Sequence, residues 1–172
     1  MNPGTVTIGT GTMPYLAENG TIENQVNTGT EGLILNTNVG LKVYSKSGTD
    51  VSVNKANTSV INNGIVTMKN NPAGAAALYV KYGSALNNGN IVLNNDSSVG
   101  VFAVEESDVI NSGTVTAKGD NSAGIYALSD DTGLNPITGA SGINIKNSGI
   151  IDISGNNSAG IYARYNGTFP VS

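Results

Sequence analysis

The chain has 172 residues, with 23 Gly, 25 Asn, no Cys, no His, no Trp and a net charge of −4. Without Cys there is no disulfide framework, thiol nucleophile or Cys-based metal site, and without His neither the Ser-His-Asp hydrolase machinery nor the commonest transition-metal ligand is available. The acidic balance argues against nucleic acid as a partner, and no apolar run is long enough to cross a bilayer as a helix.

The length suits a single β-rich segment, 1–172, or a piece of a longer domain. The first residues, Met1-Asn-Pro-Gly-Thr-Val-Thr, lack the basic and apolar regions of a signal peptide. A leader, if the natural protein is exported, is expected outside this sequence. Absence of Cys suits a chain that stays unfolded while crossing an oxidising space.

Residues 1–59 read as irregular coils. Asn19-Gly-Thr-Ile matches the first strand of a repeat that becomes clear further on, and Thr37-Asn-Val-Gly-Leu-Lys-Val-Tyr44 matches the second. Their glycines, Gly20 and Gly40, stand 20 residues apart, so a loop is expected between them, within 23–38.

Residues 60–128 are regular. An Asn-x-Gly step places Asn62, Asn87, Asn111 and Asn147 two residues before Gly64, Gly89, Gly113 and Gly149. The intervals between these glycines are 25, 24 and 36 residues. A second glycine, at Gly74, Gly100, Gly124 and Gly160, follows each by 10, 11, 11 and 11 residues. Spacing inside the unit is tight, and the variation falls between units. After each Asn-x-Gly step apolar residues alternate with mostly polar ones: Val66 and Met68, Ile91 and Leu93, Val115 and Ala117, Ile151 and Ile153. This is the period of a half-buried strand.

The second strand reads Val99-Gly-Val-Phe-Ala-Val, Ala123-Gly-Ile-Tyr-Ala-Leu and Ala159-Gly-Ile-Tyr-Ala. A narrow core favours Ala123, Ile125 and Ala127 inward, while the register with Tyr126 inward is one residue away. A short third strand precedes the Asn step, at Val60-Ile61, Val109-Ile110 and Ile143–Ile145. Residues 129–142 are a loop insertion, and 143–172 form a final coil.

Three short strands and tight turns in about 24 residues are the pattern of one coil of a parallel β-solenoid. No segment keeps a helical period, and Gly and Asn recur too often for helices. Five to seven coils at about 4.8 Å per strand give a rod about 25–35 Å long. Neither end shows a polar capping segment, so the expectation is an all-β fragment of a longer solenoid.

The recurrent Asn residues suit side-chain hydrogen bonds stacked along the axis. The recurrent Gly residues suit either positive φ or close approach of backbones. Neither a phosphate-binding Gly-x4-Gly-Lys-[Ser/Thr] loop nor the Gly-Gly-x-Gly-x-Asp calcium repeat is present.

Two features stand out from scaffold duty. Phe102, Tyr126 and Tyr162 align in register, and facing outward they would form an aromatic ladder able to meet sugar rings or a protein. Acids also gather at Glu105, Glu106, Asp108, Asp130 and Asp131, after the second strand of adjacent coils. They suit a solvated edge that discourages aggregation, or else a weak site for a cation or a basic partner surface.

The phrases Asn111-Ser-Gly-Thr-Val-Thr-Ala-Lys-Gly-Asp-Asn-Ser-Ala-Gly-Ile-Tyr-Ala and Asn147-Ser-Gly-Ile-Ile-Asp-Ile-Ser-Gly-Asn-Asn-Ser-Ala-Gly-Ile-Tyr-Ala resemble passenger repeats of Gram-negative type V autotransporters. They are most similar to those of the large fusobacterial outer-membrane adhesins. The resemblance covers 60–165 well and 1–59 poorly. It implies a right-handed parallel β-helix on the bacterial cell surface, with a C-terminal β-barrel outside this sequence. It implies attachment to a host-cell receptor or glycan, or to another bacterial surface. It offers no catalytic residue, cofactor or metal ligand.

The leading expectation is therefore a non-enzymatic adhesin segment, its β-helix acting as stalk and scaffold, with loops 23–38 and 129–142 as contact surface. The first alternative is a carbohydrate-active enzyme on a β-helix, with Asp108 and Asp130 or Asp131 as acid and base. One Arg and no His or Trp leave little to grip a polysaccharide. An ice-binding solenoid is a minor alternative, because Thr pairs such as Thr114 and Thr116 do not recur in every coil.

Overall fold

A computed structural model describes residues 15–18, 20–24, 33–35, 39–44, 58–69, 73–129 and 142–165. Among them there are sixteen strands and no helix. The first coil holds β1 (Tyr15–Glu18), β2 (Thr21–Asn24) and β3 (Leu33–Leu35). The second holds β4 (Val39–Tyr44), β5 (Ser59–Asn62) and β6 (Ile65–Met68). The third holds β7 (Ala76–Lys81), β8 (Ser84–Asn87) and β9 (Asn90–Leu93), and the fourth β10 (Val99–Val104), β11 (Asp108–Asn111) and β12 (Thr114–Ala117). The fifth holds β13 (Ala123–Ser129), β14 (Asn144–Asn147) and β15 (Ile150–Ile153), and β16 (Ala159–Tyr165) opens a sixth.

Strands never pair with their neighbours in sequence. Each pairs, in parallel, with its equivalent one coil away. The result is three stacked sheets, of six, five and five strands. This is a parallel β-helix.

The core runs down the middle. Val101, Ala103, Ile125 and Ala127 point into it from the first sheet, Val60, Ala85 and Val109 from the second, and Met68, Ile91, Leu93 and Val115 from the third. Ile125 and Ala127 face inward as the sequence suggests, but Ala123 does not: it lies on the outer face beside Tyr126, and Gly124 turns to the core against Ile151. Each fully buried Val, Ile or Leu contributes about 1.5–3 kcal/mol of transfer free energy. No coil closes this core alone, because the walls of each inner layer come from its neighbours.

Two columns at the same corner fix the coils against each other. Asn24, Asn62, Asn87, Asn111 and Asn147 form an uninterrupted chain of side-chain hydrogen bonds, each Nδ2 donating to the next Oδ1 at 2.7–2.8 Å. In three of them the second N–H of the amide turns to a backbone carbonyl of the next coil, at Ile65, Asn90 and Thr114. Asn62, Asn87 and Asn111 are fully buried, and for Asn62 and Asn87 this double donation meets the requirement that buried polar groups be paired.

Beside it runs the glycine column. A Cβ on Gly89, Gly113 or Gly149 would lie 1.9–2.0 Å from the carbonyl oxygen of the glycine below. Of the two reasons open in the sequence, close backbone approach is the one that holds here, because positive φ occurs at none of the four.

Two alignments read from the sequence change. Gly20 does not mark an Asn-x-Gly step, because β2 pairs with β5 and it is Asn24 that aligns with Asn62. Gly74 is not the equivalent of Gly100 and Gly124. In register, Val99 pairs with Ala76 and Val101 with Leu78, so Ala77 takes the Gly100 place. Gly74 instead lies in the preceding turn, with φ 83°.

Candidate functional site

The outer face of the first sheet carries the aromatic column. Strand register places Tyr79, Phe102, Tyr126 and Tyr162 one above another. Successive ring centroids are 5.5, 5.0 and 5.2 Å apart, a spacing set by the rise of about 4.8 Å between parallel strands. Phe102 and Tyr126 stack nearly parallel, at 9°. Tyr79 meets Phe102 edge-on at 89°, and Tyr162 tilts 48° from Tyr126.

The stacked faces are thus turned towards one another. Tyr79 and Tyr162 break the parallel stack at either end. Tyr162 is 50% exposed and the other three are half-buried. One rung before Tyr79, the Lys42 Nζ stands 4.9 Å from the centre of its ring, a favourable cation–π distance. Burial pushes the Tyr79 phenol above its ordinary pKa, and the charge of Glu105 pushes the same way.

A groove of about 380 Å³ runs beside the column. On one side are the rings of Phe102, Tyr126 and Tyr162. On the other is the turn that enters each strand, where Ser97, Asn121 and Asn157 hold left-handed backbone at φ 54°, 55° and 53°. Asn suits that conformation because its short polar side chain can hydrogen-bond locally. Val99, Ala123 and Ala159 lie between the two in each strand. No charged residue lines the groove among the described residues.

Axial hydrogen bonds stiffen the turn wall. The Ser98 amide donates to Ser122 Oγ at 3.2 Å, and the Ser122 amide to Ser158 Oγ at 2.9 Å. Asp96 Oδ1 accepts from the Asp120 amide at 2.9 Å, and Asp120 Oδ1 from the Asn156 amide at 2.7 Å. The turns therefore step along the axis in the same register as the rings.

Phe102, Tyr126 and Tyr162 come together as the sequence suggests. Tyr79 belongs with them and escapes notice because its strand has Ala77 where the motif has Gly. Asn24 belongs with the Asn column and escapes notice because Gln25 and Val26, not an x-Gly pair, follow it. The left-handed trio Ser97, Asn121 and Asn157 is visible in sequence only once the coils are aligned.

The acids are less unified. Glu105, at φ 58°, and Glu106 lie in the turn between β10 and β11. Asp108 opens β11, where its Oδ1 accepts from Asn144 Nδ2 at 2.9 Å. Asp130 and Asp131, with most of the 129–142 insertion, lie outside the described residues. Among the described residues no group of three or more carboxylates is placed to hold a metal ion.

The sequence family described as the BigA third pectate lyase-like domain matches residues 75–139, less than half of the chain. The likeness agrees with the stacked parallel sheets seen here. It speaks to architecture, and similar architecture does not by itself carry activity. Comparison with curated proteins finds no match. Comparison with solved structures finds none either.

Proposed function

We propose that this chain is a stretch of the β-helix of a bacterial cell-surface adhesin, the passenger of an autotransporter, and that it works by contact rather than catalysis. The observation that carries the reading is the column Tyr79–Phe102–Tyr126–Tyr162 and the groove beside it. A rigid stack of coils holds aromatic and polar groups at a fixed repeat on one outer face. Aromatic side chains with a polar tip are favoured where one protein meets another molecule. The likeness to a BigA pectate lyase-like domain supports a bacterial surface protein of β-helical build. The partner in this reading is a host receptor or glycan, or another bacterial surface.

The test is binding of the labelled chain to epithelial cells and to other bacteria, beside a Tyr126→Ser/Tyr162→Ser variant. Binding that falls in the variant supports contact through this face. An intact chain that binds no cell of any type would sink the contact role and leave a spacer.

A further inference from the structure

The geometry points to the groove beside Phe102, Tyr126 and Tyr162 as the seat of an uncharged, extended glycan strand that runs along the solenoid axis, one monosaccharide per coil. The inference rests on the adhesin reading and names the ligand class of that same face.

The groove has a direction. Its equivalent residues come from successive coils, so it repeats along the axis and crosses the strands. A peptide added to a sheet edge would run along the strands and take backbone hydrogen bonds. Here those bonds are already made between coils, so an occupant has only side chains to meet. The ring centroids repeat at 5.0 and 5.2 Å, close to the length of one pyranose unit in an extended chain. A ligand with that repeat meets the same groups at each rung.

The chemistry across the groove is that of a sugar ring. Val99, Ala123 and Ala159 offer apolar surface for its C–H face. Tyr126 and Tyr162 supply hydroxyls on one side, and Ser97, Asn121 and Asn157 supply hydroxyl and amide groups on the other. A few placed polar groups around apolar surface is the general make-up of a small-molecule site. Because Phe102 and Tyr126 lie against each other at 9°, their faces are not free to stack on a sugar. The rings act as a wall, and the sugar face turns to the small residues. Among the described residues the lining holds no charged side chain, which leaves a uronate or sulfate without a counter-charge there and selects a neutral glycan.

The experiment is calorimetric titration of the whole chain with chito-, cello- and malto-oligosaccharides of increasing length. Heparin, polygalacturonate and an extended peptide serve as competitors. At least one neutral series is expected to bind, with affinity rising with length until the three ring-bearing coils of the groove are spanned. Ala123→Glu, which fills the groove and brings a charge into it, is expected to weaken binding about tenfold or more. Ile110→Ser, on the outer face of the second sheet, is expected to leave it unchanged. Should Ala123→Glu not fold, Asn121→Asp replaces it, since Asp tolerates the same left-handed backbone. No binding in any neutral series would overturn the inference. So would binding independent of length, binding unaltered in a folded groove variant, or preference for the anionic polymers or the peptide. Cell attachment that survives the groove variant would end this inference and leave the adhesin reading standing. Cell attachment absent from the unaltered chain would end both.

Discussion

Asn62 Nδ2 donates to Asn87 Oδ1 across 2.8 Å, between two side chains that solvent does not reach. The bond joins consecutive coils, and the same bond recurs on either side of it. Asn87→Ala therefore strands a donor on Asn62 and an acceptor on Asn111. Each orphaned buried group costs about 1–3 kcal/mol. Urea unfolding is expected to show that loss as a lower midpoint. Asn147→Ala strands one buried group, the Asn111 donor, instead of two, so a smaller loss of about 1–3 kcal/mol is expected.

The two kinds of glycine are expected to respond in opposite ways. Gly113→Ala puts a Cβ 1.9 Å from the Gly89 carbonyl oxygen, so the coils must part. That parting breaks neighbouring hydrogen bonds, and a loss of about 3 kcal/mol or more is expected in the same unfolding assay. At Gly74 nothing lies within 4 Å, and the equivalent turn positions hold Ser97, Asn121 and Asn157. Gly74→Asn is expected to stay within about 0.5 kcal/mol of the parent.

Ile125 and Ile161 occupy the same register position on adjacent coils. Ile125 is fully buried and Ile161 is 46% exposed. Ile125→Ala is expected to cost about 2–5 kcal/mol, the range for removing a large core side chain, and Ile161→Ala about 1 kcal/mol or less. Equal losses would mean that the core is closed differently from the structure described.

Tyr79 gives a pH signature. Its pKa is raised in the folded chain, so folding favours the neutral phenol. That contribution is complete below the unfolded value of 10.0 and is lost as pH rises through the higher folded value. The stability difference between the parent and Tyr79→Phe is expected to be flat at neutral pH and to shift against the parent in alkali. Since Glu105 adds to the rise, Glu105→Gln is expected to bring the onset in an ultraviolet phenol titration back towards the ordinary value.

Much of this architecture is legible in the residues themselves. Alternation of Val115 and Ala117 with Thr114 and Thr116 gives the strand, and recurrence of Asn-x-Gly gives the coil. Both are periodic signals set by the same stacking that buries the core. What the eye misses are places where one coil departs from the consensus while keeping the register. Tyr79 keeps its place in the column because Leu78 and Val80 still point inward on either side of it. Gly74 misleads because the turn between Met68 and Ala76 is two residues longer than that between Leu93 and Val99. Identity of residue type stands in for identity of position only where the turn lengths match. The groove is harder still to read, because its walls come from residues about 24 positions apart and its shape depends on the left-handed turns.

The columns of hydrogen bonds have a mechanical side. In all three sheets the bonds that join coils lie along the axis of the rod. A load applied end to end pulls each of them lengthwise, a rung at a time, where a load across the rod would have to shear a whole sheet at once. Under axial tension the chain is therefore built to lose coils singly, from whichever end is held, and single-molecule pulling should register that as a train of low-force steps, each as long as the number of residues in its coil allows.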